Sequence, residues 1–232
     1  MNDIKIRKHP EILNVFISGP LDSPKIYTKN SYLGFRISDE RLTTYKNIEY
    51  REWNPYKSKL AAIILGSVKT KLFDLNSKCL YLGAASGTTV SYLSDILEKG
   101  IIYSVEFAER SIRQLIQNTT DRTNIVPILA DAQHPHTFAK SIFSEIDLIY
   151  QDVAQPNQTD ILLRNASYYL KENGILIYLV KSQSIDSIAK PEKVYAREKE
   201  TLMNAGYKLL ESVDIDKFAD NHIAFILKKT FN

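Results

Sequence analysis

From Lys78 onward the chain repeats one pattern: a short apolar run rich in β-branched and aromatic residues, then a longer helical stretch. The runs are Lys78–Leu82, Ile101–Val105, Asn124–Leu129, Ile146–Tyr150 and Ile175–Val180. The helical stretches lie near Thr89–Glu98, Glu109–Thr120, His136–Phe143, Gln158–Tyr169 and Ala189–Ala205. Strands without apolar–polar alternation are buried on both faces, and strands separated by helices pair in parallel, so an open sheet covered on both sides is predicted. Two last runs, Tyr207–Ile215 and His222–Lys228, flank a loop containing Asp220-Asn221 and read as an antiparallel hairpin. The predicted class is α/β, a doubly wound, Rossmann-like sheet of seven strands that ends in that hairpin.

The first part of the chain follows another rule. Val15–Ser18, Lys25–Thr28, Tyr32–Ile37 and Leu42–Tyr45 are separated by Ser18-Gly19-Pro20, Asp22-Ser23-Pro24 and Asn30-Ser31. Such spacing predicts hairpin-linked antiparallel strands. A small sheet of this kind needs a cover, so it is expected to pack on the larger unit. Pro55–Gly66 reads as a helix with Asn54 at its N-cap. The expected division is a small β-rich domain over 1–54 and an α/β domain over 55–232.

Composition narrows the function classes. Hydrophobic residues make up 44% and charged residues 25% of the 232, which excludes a disordered or low-complexity chain. Cys79 is the single cysteine, so a disulfide scaffold and a cysteine metal site are excluded and a reducing compartment is expected. The longest apolar run is Ile175–Val180, far short of the ~18 residues a membrane span needs. The opening stretch has no apolar segment of signal-peptide type, and none is expected. Thirty Lys and Arg against 27 Asp and Glu leave a net charge of +3, too mild to advertise a nucleic-acid domain by itself.

The chemistry-bearing residues sit where the runs end. Leu82-Gly83-Ala84-Ala85-Ser86-Gly87-Thr88-Thr89 takes a strand through a turn of small residues into a helix. Small residues let the backbone approach a ligand, and the carboxyl end of the first strand is where open α/β sheets bind one. Glu106 ends the next strand, where a carboxylate can accept ribose hydroxyls, and Phe107 could flank a base. Asp131, after the third strand, can take the exocyclic amine of adenine. Asp152 ends the fourth run and Lys181 the fifth. A lysine at the mouth of an apolar strand is costly to place there without use, and with Asp152 at a neighbouring strand end it reads as chemistry, Asp152 orienting Lys181. A glycine turn followed by acids at strands two and three resembles the class I S-adenosylmethionine methyltransferases. The dinucleotide fingerprint needs three glycines in G-x-G-x-x-G spacing, which Gly83 and Gly87 do not supply, so a dehydrogenase is disfavoured. His134 and His136 have metal-pair spacing without further ligands, and no metal is expected.

Four strings carry a closer resemblance: Tyr50-Arg51-Glu52-Trp53-Asn54-Pro55-Tyr56-Lys57-Ser58-Lys59-Leu60, Tyr81 to Thr89, Asp131-Ala132-Gln133-His134-Pro135-His136, and Asp152-Val153-Ala154-Gln155-Pro156-Asn157-Gln158. Over nearly its whole length the chain resembles fibrillarin, the RNA 2′-O-methyltransferase of box C/D ribonucleoproteins. The resemblance implies S-adenosylmethionine as cofactor, at Gly83, Ala85, Thr88, Thr89, Glu106, Phe107, Asp131, Ala132 and Asp152, Val153, Ala154 and Gln155. It implies a catalytic set of Lys59, Asp152, Lys181 and His222. It also implies a Nop-family scaffold protein, a kink-turn-binding protein of the ribosomal type, and a box C/D guide RNA that selects rRNA or tRNA targets by base pairing. The glycine/arginine-rich tail of eukaryotic members has no counterpart among 8 glycines, which implies the archaeal, cytoplasmic form. Two other readings compete: a methyltransferase for a small molecule or protein, and a cofactor-binding assembly subunit without turnover. The Lys59/Lys181 pair favours an anionic substrate over the former.

Overall fold

The computed structural model describes residues 5–20 and 22–230; Met1–Ile4, within the stretch read for a signal peptide, and the outer ends of the two expected units lie outside the described residues. Arg7–Lys8 (β1), Val15–Ser18 (β2), Lys25–Lys29 (β3), Leu42–Tyr45 (β4) and Ile48–Trp53 (β5) form an antiparallel sheet in the spatial order β1-β2-β3-β5-β4. Lys46-Asn47, both at positive φ, join β4 to β5 with Tyr45 opposite Ile48, the two-residue turn that matches strand twist.

The rest of the chain alternates as its sequence predicts. Its elements are Lys59–Leu65 (α1), Lys78–Leu82 (β6), Thr88–Ile96 (α2), Ile101–Glu106 (β7), Glu109–Thr119 (α3), Ile125–Leu129 (β8), Ile146–Gln151 (β9), Gln158–Tyr169 (α4), Leu170–Lys181 (β10), Ser182–Ile185 (α5), Pro191–Asn204 (α6), Tyr207–Asp214 (β11) and His222–Lys229 (β12). They build a seven-stranded sheet in the order β11-β12-β10-β9-β6-β7-β8. β6 to β10 pair in parallel, and β12 slots in antiparallel between β10 and β11. Pro127 is accommodated because β8 is the edge strand, where a missing N–H is tolerated. The chain leaves β6 toward β7 and β8, then returns to the other side for β9. The reversal opens a crevice beyond the carboxyl ends of β6 and β9, the place where such sheets bind ligands.

Two apolar layers cover the sheet. One holds Leu80, Tyr103, Ile149, Leu162 and Tyr178. The other joins Ile17, Ile26 and Trp53 of the N-terminal sheet to Ile63, Leu93, Leu148 and Ile177. Trp53, at this junction, is buried and stacks on Tyr92 of α2 with ring centroids 4.9 Å apart. Beside it Arg51, wholly buried, reaches Asp95 at 2.9 Å, while Arg122 reaches the same carboxylate at 2.6 Å.

Three local expectations need correction. Tyr32–Ile37 is turn, not strand, because side chains capture its backbone: Gly34 N–H donates to Glu49 Oε1, and Asn30 Nδ2 to the Phe35 carbonyl. The fourth partner in that sheet is instead Ile48–Trp53, whose charged residues hid it; buried Arg51 is tolerated there because Asp95 faces it. The helix expected from Pro55 begins at Lys59 with Ser58 as its N-cap residue, since Asn54 closes a separate turn by accepting the Tyr56 N–H at 2.9 Å. The expected His136–Phe143 helix is a shorter 3-10 segment, Pro135–Ser141.

Candidate active site

The glycine turn after β6 is a tight piece of backbone. Gly83 has φ +83°, and a Cβ there would meet the Asp152 carbonyl oxygen at 2.4 Å. Gly87 (φ +87°) precedes α2, and Ala85 also has positive φ, 48°. This twist turns the Ala85 N–H toward Glu106 Oε2, to which it donates at 2.8 Å, while Ala108 N–H donates to Oε1 at 2.9 Å. Glu106, largely buried at the end of β7, is therefore held by main chain on both oxygens. Its orientation is preset, and lone pairs remain for a ligand's hydroxyls.

A cavity of about 160 Å³ lies against this carboxylate. Gly83, Ala85, Glu106, Phe107, Asp131, Ala132 and Asp152 to Gln155 line it, with Val105, Ala130 and Ile161. Ten of the twelve residues expected to hold the cofactor meet on one wall. Asp131 accepts the Gln133 N–H at 2.9 Å, so its carboxylate is braced as Glu106 is. Phe107 is 66% exposed at the rim, an apolar face free to lie along a planar ring. The other two, Thr88 and Thr89, open α2 directly after Gly87 and are not among the residues lining this cavity. Thr88 borders a separate cleft under the N-terminal sheet, and Thr89 Oγ1 donates to Ser58 Oγ at 3.0 Å. That bond pins the start of α1 to the start of α2.

The expected catalytic residues gather beyond the same strand ends. Lys59, first residue of α1, donates to both Asp152 oxygens at 2.7 and 2.8 Å. Asp152 thus orients Lys59, not Lys181 as the spacing of strand ends suggested. Lys181 ends β10 directly opposite His222 on β12, and among the described residues its Nζ has no ion pair. His222 is 8% exposed, and its Nδ1 lies 2.7 Å from the Asp220 carbonyl. A carbonyl only accepts, so Nδ1 carries the proton and Nε2 keeps its lone pair. Burial pushes the imidazole below its ordinary pKa; the Asp220 carbonyl and Asp152 oppose this, while Lys59 and Lys181 add to it. The base form is favoured.

Sequence reasoning gave no role to Ser58 or Gln158, although both stand inside the strings that carried the resemblance. Their signal was weak because each acts on main chain or on another hydroxyl, through contacts that exist only after folding.

Parallel strands around β6, an antiparallel strand at the end, a glycine turn and acids at successive strand ends together define a class I methyltransferase fold with its cofactor crevice. Within that class the fibrillarin family model matches residues 6–230. The fibrillarin-like rRNA/tRNA 2′-O-methyltransferase of Methanocaldococcus jannaschii is 42% identical over 227 residues, 97% of each chain. The structure of Aeropyrum pernix fibrillarin with natively bound S-adenosyl-L-methionine superposes with a TM-score of 0.88 at 40% identity, covering 98% of this chain and 100% of that one. The fibrillarin of a fibrillarin/Nop5p complex gives 0.83 at 39% identity, covering 95% and 100%. The chain belongs to the fibrillarin family.

Proposed function

We propose that this protein transfers a methyl group from S-adenosylmethionine to the 2′-hydroxyl of rRNA and tRNA nucleotides as the methyltransferase of a box C/D particle. The observation that carries this reading is the cavity beside Glu106 opening next to Lys59, Asp152, Lys181 and His222. Membership of the fibrillarin family and the A. pernix structure with its bound donor support it.

The residues present fit that donor. Glu106, braced by two main-chain N–H groups, and Asp131, braced by one, would take its ribose hydroxyls and its adenine amine. Phe107 and Val153 would flank the ring, and the bare Gly83 keeps the wall low enough for close approach. When bound, the donor supplies an activated sulfonium methyl. A ribose hydroxyl is a poor nucleophile, so the protein must align its oxygen and give its proton somewhere to go. Lys181 is the group that meets the acceptor oxygen, stabilising its developing charge or taking its proton. Lys59, steadied by Asp152, supports the same oxygen. His222, with Nε2 unprotonated, offers a second base beside the lysines.

The chain carries no RNA-reading module that its sequence reveals, which supports delegating target choice to a guide RNA. The fibrillarin/Nop5p complex supports a Nop-family scaffold as partner. A kink-turn-binding protein and the box C/D RNA complete the proposed particle. We assign residues 1–54 to a small β domain and 55–232 to the methyltransferase domain, supported by the change from an antiparallel to a largely parallel sheet. The archaeal source of its relatives supports a cytoplasmic location.

Reconstitution with scaffold, kink-turn protein, guide RNA and labelled donor tests the reading. Targets carrying 2′-OH at the selected nucleotide are expected to be methylated and 2′-H targets not. Label on the 2′-H target would remove the ribose assignment.

A further inference from the structure

β9 stops at Gln151, and with it the ladder along one edge of β10, whose register with β9 closes at Tyr178 opposite Gln151. β10 continues to Lys181, where its other edge is occupied by His222 of β12. On the vacated edge the N–H and C=O of Lys181 would have no strand to pair with, and unpaired main-chain groups in a buried setting are strongly unfavourable.

The side chain of Gln158 fills that gap. It is wholly buried at the start of α4. Its Oε1 accepts the Lys181 N–H at 3.2 Å, and its Nε2 reaches the Lys181 carbonyl at 3.5 Å. A carboxamide carries the same donor and acceptor as a peptide group, so Gln158 serves as one more residue of β9. The same Nε2 donates to the Gln155 carbonyl at 3.0 Å, and the main-chain carbonyl of Gln158 accepts from Gln151 Nε2 at 2.6 Å. One residue therefore joins the end of β9 through its main-chain carbonyl, and the cavity wall at Gln155 and the backbone of Lys181 through its side chain.

Lysine has a long flexible stem, and the Lys181 ammonium has no ion pair to aim it among the described residues. Where its nitrogen can reach is then set by where its main chain is held. We propose that Gln158 is a positioning residue for methyl transfer, its amide fixing the backbone of Lys181 relative to the wall that holds the methyl donor. This inference rests on the function proposed above. Glutamine is specified on three counts: asparagine is one methylene too short, glutamate lacks the donor, and methionine has neither polar group.

The test compares wild type, Gln158→Met and Gln158→Glu in the reconstituted particle, measuring donor affinity, thermal midpoint and single-turnover methylation at saturating donor. Displacing a reacting group by about 1 Å lowers rates on the order of a hundredfold. Gln158→Met is expected to lose about ten- to a hundredfold in single-turnover rate, with donor affinity within about threefold. Gln158→Glu keeps the acceptor for the Lys181 N–H but loses the donor to its carbonyl, and is expected to recover at least about threefold of that rate while remaining at least about threefold below wild type. Three results would overturn the proposal: a Gln158→Met rate within twofold of wild type, a Gln158→Glu rate no better than Gln158→Met, or rate and affinity falling in parallel. If Gln158→Met does not fold, Gln158→Glu alone decides, and a rate equal to wild type with unchanged affinity sinks the idea. Wild type inactive on every 2′-OH target would instead strike the parent reading, so the two failures are distinguishable.

Discussion

Both carboxylate oxygens of Asp152 are occupied by the ammonium of Lys59, at 2.7 and 2.8 Å. Asp152 belongs to the cofactor wall as well, so one acid joins the donor pocket to α1. Among the described residues Lys181 has no ion-pair partner, and it stands opposite a histidine whose base form is favoured. A paired lysine and an unpaired one make different contributions: the first holds position and charge, the second is available to the substrate.

Replacing the unpaired one should therefore separate binding from turnover. Lys181→Ala is expected to reduce single-turnover methylation by about a hundred- to ten-thousandfold, the range for a positioned proton-transfer group. Donor affinity, measured by calorimetry, is expected to change less than about threefold, because Lys181 does not line the donor cavity. Turnover retained by this variant would refute the role.

Gly83→Ala attacks the pocket instead of the chemistry. Its φ of +83° disfavours any Cβ, and the added carbon would sit 2.4 Å from the Asp152 carbonyl oxygen. Backbone strain of this kind contributes about 1–3 kcal/mol of destabilisation. Loss of donor binding should accompany it, because Asp152 must move. A denaturant melt and a donor titration check both, and an unaffected titration would show that the turn is not a wall of the site.

Asp95→Asn tests how the N-terminal sheet is fastened. Asp95 is fully buried, bonded to Arg51, Arg122 and Thr28. Removing its charge leaves Arg122 with no carboxylate partner among the described residues and Arg51 with Glu40 alone, at 3.0 Å, and breaking a buried pair from one side typically destabilises by about 3–5 kcal/mol. Urea unfolding is expected to show a loss of that order. A loss under 1 kcal/mol would mean that water or rearrangement replaces the carboxylate.

Acidification should weaken the fold through His222. Burial depresses its folded pKa, so below the ordinary histidine value of about 6.5 the unfolded chain binds a proton that the folded chain refuses. Stability from this group is complete above that pH and declines as pH falls, until the depressed folded value is reached. His9 shifts the same way, by burial against the opposing pull of Glu11. His222→Gln should thus flatten part of the slope of unfolding free energy between about pH 7.5 and 5.5. A slope equal to wild type would assign the effect to His9 alone.

The α/β order, the terminal hairpin and the acids at strand ends were legible because periodicity and burial go together: a strand covered on both faces must be apolar along its length. β5 was not legible, since Glu49, Arg51 and Glu52 break that pattern. Arg51 is tolerated because two carboxylates outside its strand, Glu40 and the sequence-distant Asp95, meet it. The 3-10 segment at Pro135–Ser141 escaped for a related reason, as its Tyr169 Oη contact to the Pro135 carbonyl comes from another element.

Sequence alone determined which residue types stand at the carboxyl ends of the strands, because each follows an apolar run that can fold in one way. It could not determine their pairings. Asp152 joining Lys59 rather than Lys181, Thr89 bonding to Ser58 of the neighbouring helix start, and Gln158 capping the open edge of β10 were decided by tertiary structure. Hydrogen bonds and ion pairs depend on distances of a few tenths of an ångström between elements far apart in the chain, and only the packing of those elements sets such distances.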